Sequence, residues 1–145
     1  MNELDEIFEL QFALQHRLKR PVHKAHTLLD QAKKGDLYAR TQLWDMIRAD
    51  VEAMRQELAE LTDCFPWKHW RKVSDQPFDV QNARVEVVDI MHFLVNIALY
   101  LGMDANDLHA AFMAKNQVNH ERQDSGYVAK NEDDCRHICP VGADK

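Results

Sequence analysis

The stretch VQNARVEVVDIMHFLVNIALYL at residues 80–101 is rich in Val, Ile, Leu, Met and Phe, yet it contains two carboxylates, Glu86 and Asp89. Its pattern predicts a helix that is apolar nearly all round, as in the interior of a bundle or at a subunit interface. On a helix, residues three apart share one face, so the two acids present their oxygens together. A divalent cation would neutralise the repulsion between them. The pair therefore indicates a Mg²⁺ or Mn²⁺ site, unless both acids face solvent or an arginine.

Around this fourth helix, the spacing of apolar residues predicts four more. The predicted segments are Leu4 to about Lys19, residues 22–34, a long third helix that is capped by Asp36 and runs to about Thr62, and about Ala105 to Gln123. Pro21, Gly35 and Gly102 separate these segments, because proline ends a helix and glycine commonly follows the last turn. The sequence thus predicts an all-α bundle of about five helices.

A second acidic pair, Glu57-x-x-Glu60, lies at the edge of the apolar seam of the third helix, with 25 residues between it and the Glu86/Asp89 pair. Glutamate is a good helix former, so a surface position is the alternative interpretation. If the third and fourth helices pack antiparallel, the two pairs meet. Four carboxylates would then form an oxygen cage suited to Mg²⁺.

Composition limits the class of protein. The 145 residues suffice for one domain, and the net charge of −6 gives no basic surface for nucleic acid. Residues 85–101 are too polar and too short to span a bilayer, so no membrane segment is expected. Three cysteines without a framework spacing fit a reducing cytosol. We expect a domain over residues 1–127 and a polar tail over residues 128–145.

Polar side chains on two helices suggest nucleotide contacts. Gln11 and Gln15 fall on the apolar face of the first helix, where their amides can read a nucleobase edge or bond a neighbouring helix. Lys115, Asn119 and Arg122 are spaced i, i+4 and i+7 on the fifth helix. Two cations and an amide in one line suit a phosphate chain.

Two segments outside the helices are open to more than one interpretation. Residues 64–76, CFPWKHWRKVSDQ, alternate aromatic rings with cations. This loop either closes over a ring and its phosphates or packs as a hydrophobic loop with a solvated basic rim. In the tail, Cys135, His137 and Cys139 offer three possible zinc ligands within five residues, a weak signal without a fourth.

Together these motifs resemble the all-α nucleoside triphosphate pyrophosphohydrolases, the superfamily that includes MazG and the dimeric dUTPases. ExxE followed by ExxD is similar to the metal-binding signature of that superfamily. The resemblance to the dimeric dUTPases covers most of residues 4–127. It includes the segments IFELQ at residues 7–11, FPWK at residues 65–68, EVVDIMHF at residues 86–93, and K-x-x-x-N-x-x-R-Q-D-x-G-Y at residues 115–127.

The fourth helix and the long seam of the third have more hydrophobic surface than one small bundle covers, so we expect a homodimer or a dimer of dimers. The resemblance implies hydrolysis of a deoxynucleoside triphosphate, such as dUTP, to a monophosphate and pyrophosphate. It implies that two or three Mg²⁺ or Mn²⁺ ions are held by Glu57, Glu60, Glu86 and Asp89. One carboxylate, Glu57 or Glu60, would also orient or deprotonate the attacking water. The implied phosphate ligands are Lys68, Lys115, Asn119, Arg122 and Tyr127, and the implied sugar and base ligands are Gln11, Gln15, Trp67, His92, Phe93 and Asn96.

One departure from the family pattern leaves the base open. The dimeric dUTPases usually place an asparagine shortly after the N-terminal glutamine, whereas this chain continues with Leu14, Gln15 and His16. A purine substrate such as dGTP or GTP is therefore an alternative with the same chemistry. A second alternative is a non-enzymatic helical dimerisation module whose acids are surface residues. That module would show no tight dependence on Mg²⁺.

Overall fold

The computed structural model describes residues 1–20 and 22–126, which form five α-helices, one short 3-10 turn and no strand. The helices are α1 (Glu3–Arg17), α2 (Val22–Lys33), α3 (Leu37–Asp63), α4 (Val80–Tyr100) and α5 (Ala105–Asp124). The prediction of an all-α chain with about five helices is confirmed, and every predicted boundary lies within two residues of the observed one. Pro21, Tyr127 and the tail with Cys135, His137 and Cys139 lie outside the described residues.

The chain divides into two compact units. The larger unit, Glu9–Gly102, contains most of α1 together with α2, α3 and α4. The other unit combines Met1–Phe8 with the chain from Met103 onward, which includes α5. The predicted boundary between a domain and a tail at residues 127/128 falls at the end of the described residues and stays a prediction.

The core of the larger unit lies between α2, α3 and α4, and the most extensive helix contact is that of α3 with α4. Small side chains allow the helices to approach closely. The buried cluster consists of Val22, Ala25, Ala32, Ala39, Leu43 and Tyr100. Because most members are alanine or valine, the core depends on close backbone approach more than on large side chains.

Aspartates begin the helices that carry the acidic pairs. The Asp36 carboxylate accepts a hydrogen bond from the Ala39 amide of α3 at 3.0 Å, and Asp79 accepts one from the Asn82 amide of α4 at 3.0 Å. Asp104 and Asp107 form a reciprocal capping box at the start of α5. These carboxylates satisfy amides that have no partner within their own helix.

The α4 helix is only partly enclosed within the single chain, and the alternative of a subunit interface for its apolar circumference stays a prediction. Its buried residues include Glu86, Val95 and Asn96, whereas Val87 is 55% exposed and Leu94 is 44% exposed. The reason is that α2 and α3 cover only part of its circumference within the larger unit.

In the described part of the chain, no single helix is long and apolar enough to cross a membrane. Only α4 and α5 counted together, across the break between them, meet the length and composition that a membrane span requires.

Gly102 ends α4 in a left-handed conformation, with φ of +74°, and a Cβ atom there would lie 3.0 Å from Leu29 Cδ2. We expect Gly102→Ala to lower the free energy of unfolding by about 1–2 kcal/mol, because an L side chain is strained at positive φ. Urea denaturation measures the change. Gly35→Ala is the matched control, since Gly35 also has positive φ but a Cβ atom there meets nothing within 4 Å. If the loss at Gly102 does not exceed that at Gly35, the contact with Leu29 is unimportant.

Candidate active site

Three carboxylates come together where α3 passes α4. Glu57 and Glu60 of α3 and Glu86 of α4 each offer an oxygen, and these oxygens lie within 4.8 Å of one another. Glu86 is 5% exposed, Glu57 is half-buried and Glu60 is exposed. The two sequence pairs thus contribute to one cluster, hereafter the acidic cluster. Such a set of oxygen donors fits a hard divalent cation.

The fourth predicted ligand, Asp89, lies one turn beyond Glu86 on α4 and outside this three-residue group. It lines the same cavity as Glu57. Partial burial raises the pKa of the Glu57 carboxyl above its ordinary value, and a hydrogen bond with Glu86 acts in the same direction. The negative charges of Glu60, Asp89 and Glu86 raise that pKa further. All four predicted acids therefore interact, three by proximity of their oxygens and Asp89 by its charge on Glu57.

Neighbouring amides hold two of these carboxylates. Asn82 Nδ2 donates to Glu86 Oε1 at 3.1 Å and to the Sγ atom of buried Cys64 at 3.3 Å. Gln56 Nε2 donates to Glu60 Oε1 at 3.1 Å. The sequence analysis missed Asn82 as a positioning residue. Its location four residues before Glu86, on the same helical face, is the signal that identifies it.

A cavity of about 480 Å³ extends from the acidic cluster between α1, α3 and α4. Its lining residues are Gln11, Leu14, Gln15, Leu18, Arg20, Asp50, Glu57, Asp89, His92, Phe93 and Asn96. Five of the six predicted base and sugar ligands are in this set, and Trp67 is absent from it. Eight of these eleven residues have polar or charged side chains, and the apolar ones are Leu14, Leu18 and Phe93, so the cavity suits a polar ligand with an apolar portion.

A chain of hydrogen bonds joins lining residues of this cavity and connects three helices. Asn96 Nδ2 donates to Asp50 Oδ1 at 3.0 Å, and Gln11 Nε2 donates to Asn96 Oδ1 at 2.6 Å. Gln11 Oε1 in turn bonds His92 Nδ1. Because the Asn96 amide nitrogen donates to Asp50, its oxygen accepts from Gln11, and the Gln11 oxygen is left to bond His92. His92 Nδ1 must then carry a proton, and in the neutral imidazole Nε2 is left as an acceptor.

Asp50 is a residue that the sequence analysis missed. It is 1% exposed, and among the described residues its Oδ2 atom and the Oε1 atom of Gln15 have no hydrogen-bond partner. Burial, the charge of the Asp50 carboxylate and a side-chain hydrogen bond with Asp50 raise the pKa of the Tyr100 hydroxyl far above its ordinary value, and the Arg20 cation partly opposes this effect. A signal was present in the sequence, because Asp50 lies three residues after Ile47 and four before Met54, within the apolar seam of α3.

The aromatic and basic loop lies apart from this cavity. Trp67 and Lys68 line a separate cavity of about 240 Å³. The Gln76 side chain organises the loop, since Oε1 accepts from the Lys68 amide at 2.8 Å and Nε2 donates to the Lys68 carbonyl at 2.9 Å. The larger unit therefore does not place the predicted ligands Trp67 and Lys68 around the cavity that Gln11 and Asn96 line.

The remaining predicted phosphate ligands belong to the other unit. Lys115, Asn119 and Arg122 all lie on α5, at the spacing that puts them along one side of a helix. Lys115 and Arg122 are half-buried, whereas Asn119 is exposed. Tyr127 lies outside the described residues. The role of these four residues stays a prediction that depends on the sequence resemblance.

The described residues form a helical bundle in which both carboxylates of ExxE and the glutamate of ExxD meet between adjacent helices, and these are features of an all-α nucleoside triphosphate pyrophosphohydrolase. Comparison with known proteins narrows this class, because a family model described as dUTPase matches residues 3–106 and 95–127. The chain belongs to the dUTPase family. The resemblance identified from the sequence is therefore confirmed.

Two phage proteins are similar to parts of the chain. The dCTP pyrophosphatase of Enterobacteria phage T4 is 34% identical over 97 residues, which are 60% of this chain and 51% of that protein. The dCTP pyrophosphatase of Enterobacteria phage LZ5 is 34% identical over 71 residues, which are 42% of this chain and 41% of that protein. The chain thus aligns with about half the length, or less, of the curated relatives it matches. No solved structure gives a significant match.

Proposed function

We propose that the chain is a metal-dependent hydrolase that converts a deoxynucleoside triphosphate to the monophosphate and pyrophosphate. The observation that carries this proposal is the acidic cluster, in which carboxylates from α3 and α4 meet at the end of a nucleotide-sized cavity. Membership of the dUTPase family supports the proposal. It also favours an enzyme over a helical dimerisation module.

The donor set fits Mg²⁺ or Mn²⁺, because it consists of hard carboxylate oxygens without cysteine or histidine. Glu57, Glu60 and Glu86 would hold the ions, with Asp89 beside them. Bound ions of this kind lower the pKa of water and stabilise charge on phosphoryl oxygens. We propose two or three ions per site, as the family resemblance implies.

Within the chain, Glu57 belongs both to the acidic cluster and to the cavity wall. We therefore assign to Glu57, with Glu60 as its neighbour, the task of orienting the attacking water and accepting its proton. Asn82 keeps the Glu86 oxygen in place. Attack at the α-phosphorus would release pyrophosphate as the leaving group.

The far end of the cavity is proposed to hold the base and the sugar. Gln11, Asn96 and His92 are cross-linked there by hydrogen bonds, so they present a pre-formed set of polar groups. Phe93 adds an aromatic surface, and Gln15 adds a buried amide. A pyrimidine deoxynucleotide, dUTP or dCTP, is the substrate class favoured by the family and by the names of the two phage relatives.

Pyrophosphate release from all dNTPs and NTPs, measured with Mg²⁺, with Mn²⁺ and with EDTA, tests the proposed function. We expect turnover of at least one pyrimidine dNTP with either metal, and none with EDTA. Preference for dGTP or GTP would assign the same chemistry to a purine substrate. Absence of turnover across the whole panel would overturn the enzyme proposal and favour the dimerisation module.

Arg122 provides a prediction about the phosphate ligands. We expect Arg122→Ala to raise KM about tenfold or more with a smaller effect on kcat, because a guanidinium that binds phosphate contributes mainly to substrate affinity. Steady-state kinetics with the preferred dNTP measures both constants. Arg55→Ala is the control, since Arg55 is an exposed cation of α3 that pairs with Glu52. An unchanged KM for Arg122→Ala would remove Arg122 from the phosphate site.

We also propose that the protein assembles as a homodimer or a dimer of dimers. Val87, Leu94 and Leu101 of the α4 segment are spaced seven residues apart and are all exposed in the single chain. An apolar stripe of this spacing is typical of a helix that packs against another helix. Sedimentation equilibrium distinguishes a monomer from a dimer or a tetramer, and a monomer at micromolar concentration would contradict this part of the proposal.

A further inference from the structure

We propose that Tyr100 is a positioning residue for the nucleoside end of the cavity, which Gln11 and His92 line. Tyr100 is 2% exposed and is not among the described residues that line the cavity. It would act from the hydrophobic core, through Asp50 and Asn96, on the side chains that meet the ligand. This inference deepens the proposed function and depends on it, because it concerns what holds the same cavity in shape.

The first argument is the position of Tyr100 between the core and the polar chain. It is a member of the buried cluster between α2, α3 and α4. On α4 it follows Asn96 by four residues, so both side chains lie on one face of that helix. Asn96 bonds Asp50 of α3, and a side-chain hydrogen bond connects Asp50 with the Tyr100 hydroxyl. The Asp50 carboxylate is therefore held from two neighbouring turns of α4.

The second argument is that the Tyr100 hydroxyl is a fixed donor. Burial and the charge of the Asp50 carboxylate raise the pKa of this hydroxyl far above its ordinary value, so it stays protonated. The phenol gives its one proton to the carboxylate, which accepts. Asp50 is 1% exposed, so water has little access to it. Loss of the hydroxyl would leave a buried carboxylate with fewer hydrogen bonds, which is costly.

The third argument is the connection from Asp50 to the cavity. Asn96 donates to Asp50 through its amide nitrogen, which leaves its oxygen to accept from Gln11. The Gln11 oxygen then bonds His92 Nδ1. Each amide in this series keeps one orientation only while its neighbour does so. A carboxylate that can turn would release the Asn96 amide and, after it, the side chains at the nucleoside end.

Arg20 offers the carboxylate a competing partner. It lines the cavity, and its charge lowers the pKa of the Tyr100 hydroxyl in opposition to Asp50. Its cation is thus within electrostatic reach of the pair. Without the Tyr100 hydroxyl, we expect the Asp50 carboxylate to turn towards Arg20 and away from Asn96. The hydroxyl would therefore keep the polar chain intact beside a cation of the cavity wall.

The acidic cluster lies far enough from this network to serve as an internal reference. Asp50 precedes Glu57 by seven residues on α3, which corresponds to about 10.5 Å along the helix axis. Tyr100 follows Glu86 by 14 residues on α4, about 21 Å along that axis. A change at Tyr100 should therefore weaken binding of the nucleoside part and leave binding of phosphate and metal unchanged.

The first test is Tyr100→Phe, which removes the hydroxyl and keeps the ring in the core. Calorimetry with Mg²⁺ measures the dissociation constants of pyrophosphate and of the tightest-bound of dCMP, dUMP and dGMP. We expect the constant of the monophosphate to rise about tenfold, since a hydrogen bond to a charged group is worth about that factor, and the constant of pyrophosphate to stay the same. KM for the preferred dNTP should rise about tenfold with little change in kcat. Tyr38→Phe is the matched control, because Tyr38 of α3 is 72% exposed and its loss should change none of these values.

The second test is spectroscopic and needs no turnover. At a pH where the imidazole is neutral, the nitrogen chemical shifts of His92 should indicate one tautomer, protonated at Nδ1, in the wild type and a mixture in Tyr100→Phe. Coupling between two sites is reciprocal, so the same monophosphate should shift the Cζ resonance of Tyr100 in the wild type. Pyrophosphate should leave that resonance in place.

Each outcome supports or overturns the inference. A folded Tyr100→Phe protein with wild-type monophosphate affinity and an unchanged His92 tautomer would show that the hydroxyl only completes the core, which overturns it. Equal losses for monophosphate and pyrophosphate would also overturn it, because they indicate general destabilisation. If thermal unfolding shows that the variant is not folded, the wild-type resonance of Tyr100 decides alone. Absence of dNTP turnover in the wild type would instead overturn the proposed function, and the His92 tautomers would still test whether Tyr100 orients the polar chain.

Discussion

Replacement of Glu86 by glutamine is expected to abolish metal-dependent dNTP hydrolysis and leave the fold intact. Glu86 is the buried member of the acidic cluster, and its oxygen lies within 4.8 Å of oxygens of Glu57 and Glu60. Glutamine has nearly the same shape but supplies a neutral and weaker metal ligand. Loss of a group that merely orients a metal ligand costs about 10–100-fold, so loss of a ligand should cost at least about 100-fold.

The measurement is pyrophosphate release with Mg²⁺ and Mn²⁺, together with thermal unfolding of the metal-free protein. Asn82 donates to Glu86 Oε1, and the amide oxygen of a glutamine can accept the same bond, so stability should change little. Glu52→Gln is the control, since Glu52 is an exposed acid of α3 that pairs with Arg55. Normal activity of Glu86→Gln, with Glu52→Gln also normal, would refute the carboxylate cage.

The helical fold was predictable because the signals that set it are local. Asp36 and Asp104 cap helices through bonds to amides three residues away, and Gly102 ends α4 because its φ is positive. Such signals depend on few neighbours, so the sequence carries them directly. The sequence indicated that α4 has more apolar surface than one small bundle covers, but which of its residues are exposed depends on the packing of the whole chain.

The acidic cluster was partly predictable for a similar reason. The i, i+3 spacing puts Glu57 with Glu60 on one face of α3, and two antiparallel helices bring that face to Glu86.

Asp50 was missed because a single acid in an apolar seam has no motif. Its importance became apparent only through its long-range bond to Asn96, which is 46 residues away in the sequence. The placement of Trp67 in a separate cavity likewise depends on the Gln76 contacts of the loop.

Loss of Asn96 should strongly reduce the stability of the larger unit. It is 2% exposed and lies at the centre of the polar chain, where it donates to Asp50 and accepts from Gln11. Replacement by leucine keeps a similar volume but removes both bonds. Gln11 Nε2 and Asp50 Oδ1 would then be buried without these partners, at a cost of about 1–3 kcal/mol for each group and more for the charged one.

We therefore expect Asn96→Leu to lower the free energy of unfolding by about 2–5 kcal/mol. Urea denaturation followed by circular dichroism measures this free energy, and Asn116→Leu at an exposed position of α5 is the control.

A further consequence of the same substitution concerns His92. Without Asn96 nothing fixes the direction of the Gln11 amide, so His92 Nδ1 can donate or accept. The NMR chemical shifts of the imidazole nitrogens should thus indicate a mixture of tautomers. Wild-type stability with a single unchanged tautomer would show that the polar chain does not set the geometry of the base end of the cavity.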